Sequence, residues 1–195
     1  MRLASWAADL VSFLLPGGCL SCGVWIPERY RAGLLCGRCR SRLPRAPWPR
    51  CPRCHHPLGT GRAVASSCRA CRDWPEALAA ARHAVVLAPP ADALVHALKY
   101  NGWRELAPEM GHAMARALLP LERGGGARVV APVPTTLQRM RARGYNQAGL
   151  LADALAGALD LPVLDALRRA RGGVTQVALH PSQRRANVRG VFAVR

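Results

Sequence analysis

Eight cysteines fall in four C-x2-C pairs, Cys19/Cys22, Cys36/Cys39, Cys51/Cys54 and Cys68/Cys71, and none occurs after residue 71. Two residues between thiolates let one tight turn aim both sulfurs at a tetrahedral zinc about 2.3 Å away, and two such pairs close a four-sulfur site. The spacing is also repeated. Cys19-x2-Cys22-x13-Cys36-x2-Cys39 and Cys51-x2-Cys54-x13-Cys68-x2-Cys71 each span 21 residues, the signature of one small unit used twice. The repeat predicts local pairing, Cys19/Cys22 with Cys36/Cys39 and Cys51/Cys54 with Cys68/Cys71. A crossed arrangement joining Cys36/Cys39 to Cys51/Cys54 is the alternative that spacing leaves open. Either way, two zinc ions closed by sulfur keep no position for water, so the metals are expected to hold the fold and do no catalysis. His55 and His56, next to Cys54, are then expected to be exposed knuckle residues rather than ligands.

The same thiols read as disulfides are disfavoured. Eight cysteines in 195 residues lie well below the roughly 8–10% density of a disulfide scaffold. The apolar run from Trp6 to Gly18 is broken by Asp9 and Pro16, which leaves it short of the ~20 residues that span a bilayer. It also lacks the basic start and small-residue cleavage site of a signal peptide. The expected location is the cytoplasm, where thiols stay reduced.

A second chemical cluster lies between Ala131 and Gln147. Two hydroxyls, Thr135 and Thr136, are followed by Arg139, Arg141 and Arg143 and then by Gly144, read as opening a helix. Amides at a helix start beside fixed guanidinium forks make a phosphate or pyrophosphate cradle; the alternative is a solvated arginine-rich loop. The whole chain leans the same way: 28 basic residues face 11 acidic ones, for a net charge of +17. Lys99 is the only lysine. The excess is +9 in residues 1–75 and +8 in residues 76–195, and the stretch Ala166–Arg195 holds seven arginines and no acid. An Arg-for-Lys bias explains the ratio but not this excess, which implies a polyanionic partner.

Positioning these groups calls for two domains. Composition changes near residue 75, giving a double zinc ribbon with a short N-terminal helix over 1–75 and a second domain over 76–195. In the latter, apolar periodicity predicts helices over Asp92–Tyr100, Leu106–Leu119 and Asn146–Leu159. Short β-like runs lie at Ala84–Leu87, Arg128–Val133 and Pro162–Leu164, with Gly124–Gly126 as a flexible connector. Strand, loop, helix and strand in that order predict an α/β domain with a parallel sheet.

Taken in order, Lys99-Tyr100, Pro132-Val133-Pro134, Arg143-Gly144-Tyr145-Asn146-Gln147, Thr175-Gln176 and Arg184-Arg185-Ala186-Asn187-Val188-Arg189-Gly190-Val191-Phe192, behind a doubled cysteine ribbon, resemble the ComF family. That resemblance implies a double zinc ribbon followed by a type I phosphoribosyltransferase-like domain, and an association with competence, DNA uptake and the competence machinery. It implies binding of 5-phosphoribosyl 1-diphosphate with Mg²⁺, or of pyrophosphate. Pro134, Thr135, Arg139, Arg143 and Gly144 would form the pyrophosphate loop, and Asn146 and Gln147 would start the helix behind it. Lys99 and Tyr100 match a hood-side pair, while Arg184, Arg185 and Asn187 would lie on the mobile segment over the site. The family's adjacent acids and Thr- and Gly-rich turn, which grip the ribose and its 5′-phosphate, have no counterpart, since no two acidic residues are adjacent in the sequence. The resemblance therefore implies an incomplete phosphoribosyltransferase-like sheet, truncated at its C-terminal phosphate-binding strand and inactive as a transferase, with no catalytic residue assigned. The rival expectation is a non-catalytic zinc-ribbon module for single-stranded nucleic acid, using arginine charge and the indoles of Trp25, Trp48 and Trp74, although core or rim packing is the plainer expectation for those three.

Overall fold

The computed structural model describes residues 17–27, 34–59, 68–118, 128–171 and 179–195. The expected N-terminal helix, the Gly124–Gly126 connector and Thr175-Gln176 lie outside the described residues. The chain divides into two compact units, Met1–Ala97 and Leu98–Arg195.

In the first unit the cysteine repeat is a repeat of backbone geometry with an offset of 32 residues. The bridge Gly18↔Trp25 recurs as Arg50↔Pro57. Cys19 N–H donates to Val24 O at 2.8 Å and Cys51 N–H to His56 O at 2.8 Å, while Gly23 N–H reaches Cys19 O and His55 N–H reaches Cys51 O. The second halves match too: Arg40 N–H to Cys36 O becomes Arg72 N–H to Cys68 O, and Arg42 N–H to Cys39 O becomes Trp74 N–H to Cys71 O. The knuckle needs one left-handed residue. Glycine supplies it without cost at Gly23 (φ 72°), whereas the second copy holds His55 there (φ 64°), a conformation disfavoured for a side chain with a Cβ. Only in the first copy does the second knuckle itself run into a short helix, α1 (Gly37–Ser41), which contains Cys39 and is capped by the Cys36 sulfur.

Helix α2 (Ala91–Tyr100) follows, with Ala91, Leu94, Ala97 and Leu98 buried. The second unit, beginning inside α2, is built around α3 (Ala107–Leu118), entered through a 3₁₀ turn at Arg104–Leu106, and α5 (Gln147–Leu159). These two pack closely because small residues meet: Ala107, Gly111 and Ala115 are buried on α3, and Ala152 and Ala156 on α5. A Cβ on Gly111 would lie 2.5 Å from that of Ala154. Asn146 caps α5, its side chain accepting from Ala148 N–H at 3.2 Å. The three periodic helices thus stand within a residue or so of their expected ends.

The sheet differs from the expectation. Val130 and Val163 form a parallel bridge, with Val130 N–H to Pro162 O and Leu164 N–H to Val130 O both 2.9 Å. This is the seed of the strand–helix–strand unit read from the sequence, yet it extends no further. The sheet that does form among the described residues is antiparallel, β1 (Leu167–Arg169) with β2 (Phe192–Val194), on either side of α6 (Pro181–Val188). A phosphoribosyltransferase-like parallel sheet is not seen among the described residues. Ala84–Leu87 is no strand; Val86 N–H makes one bond, to Pro44 O.

The arginine cluster is a further correction. Leu137–Arg143 is itself a helix, α4, whose N-cap Thr136 accepts from Arg139 N–H at 3.2 Å. Gly144, at φ 76°, ends α4 with its N–H on Met140 O rather than opening a helix. A threonine before Leu-Gln-Arg and a glycine after the last arginine are the ordinary start and stop signals of a short helix.

Candidate zinc centres and the surfaces around them

Each cysteine quartet converges. The four Sγ atoms of Cys19, Cys22, Cys36 and Cys39 lie within 4.8 Å of one another, and so do those of Cys51, Cys54, Cys68 and Cys71. Local pairing, rather than the crossed arrangement, is the geometry present. Zinc–sulfur bonds of about 2.3 Å at tetrahedral angles put sulfurs about 3.8 Å apart. Cys22–Cys36 is 3.8 Å, Cys51–Cys71 3.7 Å, Cys54–Cys68 3.5 Å and Cys68–Cys71 4.0 Å. All eight cysteines are free thiols. The residues therefore fit two structural zinc ions.

The knuckle backbone prepares the ligands. Burial alone raises the Cys19 thiol, but amide hydrogen bonds from Cys36, Cys22 and Ser21 outweigh it and bring the pKa down to about 6; the Cys36 N–H lies 3.4 Å from the sulfur. Cys51 behaves alike, also about 6, with burial overcome by the amides of Cys54 and Arg53. Their partners go the other way: burial pushes Cys39 and Cys54 up to about 12, and raises Cys71. Each quartet thus has one thiol ready to ionise, and the metal's own charge draws the protons from the rest.

Arginine is built into these knuckles, a feature the spacing argument overlooked. The sequence runs Cys36-Gly-Arg38-Cys39-Arg40, Cys51-Pro-Arg53-Cys54 and Cys68-Arg69-Ala-Cys71-Arg72. Four thiolates on one zinc leave a net charge of about −2, and arginines neighbour three of the four cysteine pairs along the chain. Arg53 also acts as a clamp. Its guanidinium donates to the carbonyls of Cys71, Trp74, Pro75 and Leu78 at 3.1–3.4 Å and lies 5.9 Å from the Trp74 ring centre. Arg82 grips the same knuckle from outside, on the carbonyls of Pro52 and Arg53. Arginine inside a C-x2-C pair is the sequence signal that could have shown this.

His56 is exposed as expected, whereas His55 is half-buried. Its Nε2 accepts from Arg50 at 3.3 Å and its ring meets that of His83 at 4.8 Å. Burial, then His83 and the neighbouring arginines, lowers its pKa and keeps it neutral. The indoles also depart from the packing expectation: Trp25 is 59% and Trp48 75% exposed, and only Trp74 is half-buried.

In the second unit the structure brings Lys99, Tyr100 and Arg143 together. With Gly102, Ala142 and Tyr145 they line a cleft of about 230 Å³. Arg143 lies over Tyr100 at 4.9 Å and donates to Gln147 Oε1 at 3.0 Å. Tyr145 is buried, its hydroxyl donating to Leu98 O, with Arg104 over its ring at 4.5 Å. Asn146 ties this turn to Val133 O at 3.4 Å. Pro134 and Thr135 lie just before Thr136, the N-cap of α4, and Arg139 lies on its first turn. Arg184, Arg185 and Asn187 are on α6, where Arg184 bonds Leu179 O instead.

Residues 10–72 match the double zinc ribbon domain, so the two quartets have a known counterpart as a class. The chain is 28% identical over 187 residues to the DNA utilization protein YhgH of Escherichia coli O157:H7, covering 91% of this chain and 78% of that protein. The proteins of the same name from Escherichia coli K12 and Shigella flexneri are each 27% identical over the same coverage. No solved structure matches the chain. No helix among the described residues is long and apolar enough to cross a membrane.

Proposed function

We propose that this chain is a zinc-ribbon protein of DNA utilization that holds single-stranded DNA on its ribbon surface. One observation carries the reading: along the sequence, residues 19–72, which span the two cysteine quartets, contain eleven arginines against a single carboxylate, Glu28. Such a surface attracts phosphates, and the zinc centres keep its charges from dispersing. The name shared by relatives that align across most of the chain supports the same reading, and a role in the cytoplasm beside the competence machinery is consistent with it. The test is the salt dependence of binding. Zinc-loaded protein and a thymidine oligonucleotide should give log affinity falling linearly with log salt, with a slope of about −2 to −4, the value for roughly three to six phosphates on a single strand. A slope near zero, or no binding at low salt, would sink the reading.

The cleft favours a second activity on the same chain, consistent with a phosphoribosyltransferase-like domain over residues 76–195. Lys99 and Arg143, the latter lying over the Tyr100 ring, suit pyrophosphate or the diphosphate of 5-phosphoribosyl 1-diphosphate. No carboxylate lines the cleft, so Mg²⁺ would arrive on the diphosphate's own oxygens rather than on protein ligands. Diphosphate binding is the chemistry these cleft residues support.

A further inference from the structure

The outward-facing Trp48 belongs to a built stack on the second ribbon. The Arg50 guanidinium lies 4.8 Å from the centre of a Trp48 ring and is itself fixed, its Nε donating to Pro47 O at 3.4 Å and its Nη1 to His55 Nε2 at 3.3 Å. The backbone beneath is pinned as well: Leu58 N–H meets Pro49 O at 2.7 Å and Arg50 pairs with Pro57. One face of the indole is therefore covered by a positioned cation. With 75% of the residue exposed, the other face stands open.

We propose that the open face of Trp48 is a stacking platform for an unpaired nucleobase, with Arg50 as the residue that positions the indole. The proposal rests on the reading that the ribbon binds single-stranded nucleic acid, and goes beyond it by naming the place where a base lies. Charge complementarity selects this occupant over a protein or a lipid tail. Arg42 and Arg45 are exposed just before the indole, and the nearest carboxylates along the chain are Glu28 and Asp73. A flat apolar ring flanked by guanidinium groups offers stacking to a base and ion pairing to the phosphates on either side of it. Every base has a π-face, so such a platform is sequence-tolerant and demands only that the strand be unpaired.

The test compares full-length, zinc-loaded wild type, Trp48→Ala and Trp48→Phe on a fluorescent thymidine oligonucleotide and on an abasic oligonucleotide of equal length. Zinc content of each variant confirms that the ribbon is intact. Trp48→Ala should weaken thymidine binding about ten-fold, which is about 1.4 kcal/mol, and leave abasic binding and the salt slope unchanged. Trp48→Phe should keep most of the affinity. If wild type binds neither strand, the functional reading falls and the platform with it. If wild type binds both but Trp48→Ala loses nothing on thymidine, or loses equally on the abasic strand, the platform alone is overturned. It is equally overturned if Trp48→Ala abolishes binding to anionic lipid vesicles while nucleic-acid affinity stays the same.

Discussion

Replacing Cys51 by serine should leave one zinc per chain in place of two, with the second ribbon unfolded and the first intact. Cys51 is 1% exposed, its sulfur lies 3.7 Å from that of Cys71, and two amides prepare it for ionisation. A serine hydroxyl stays protonated near neutral pH and supplies no thiolate. A structural zinc contributes on the order of 10 kcal/mol of apparent folding free energy, and among the described residues from Cys51 to Cys71 only these two cysteines are buried. The Arg53 clamp fails at the same moment, since its acceptors at Cys71, Trp74, Pro75 and Leu78 are held near Arg53 by the closed knuckle. Metal analysis checks the first half of this, and limited proteolysis with cleavage confined to residues 51–75 checks the second. Retention of two zinc ions would mean that another donor replaces Cys51, and loss of both would mean that the quartets are not independent.

Tyr145→Ala should be the costliest single change in the second unit outside the helix core, at about 3–5 kcal/mol by analogy with other large aromatic truncations. The ring is 7% exposed, it carries Arg104 on its face, and its hydroxyl holds Leu98 O. Tyr145→Phe should cost only about 1 kcal/mol, the net value of one hydrogen bond. Thermal or denaturant unfolding reads both. If the two variants lose equally little, Tyr145 serves as a wall of the cleft and does not pin α2 to the turn after α4. The distinction bears on function, because Lys99 and Tyr100 reach the cleft from the end of α2, and Arg143 from the end of α4.

Much of this was legible in the chain because it is written in local patterns. Cysteine spacing carried both quartets and their repeat, and apolar periodicity carried α2, α3 and α5. Asn146 was readable as the start of α5 because its side chain satisfies an amide of the first turn. Four things were harder to read, each for a physical reason. Arg139–Arg143 looked like a loop because charge masked the Thr136 and Gly144 caps. Of the expected parallel sheet the described residues hold a single bridge, Val130 to Val163, and pairing of this kind depends on partners far apart in the chain. Trp25 and Trp48 were expected to pack, yet hydrophobicity says nothing of which face a turn presents. The reach of Arg53 into four carbonyls follows from tertiary geometry, for which one residue in a C-x2-C pair is only a hint.

The most direct test of the central claim is where a single strand touches the protein. A thymidine oligonucleotide carrying photoactivatable thiothymidine, cross-linked to the zinc-loaded chain at physiological salt and mapped by mass spectrometry, should place its cross-links within residues 34–58, with Trp48 and its flanking arginines foremost. Cross-links confined to residues 128–195, with the ribbon unmarked, would contradict the account.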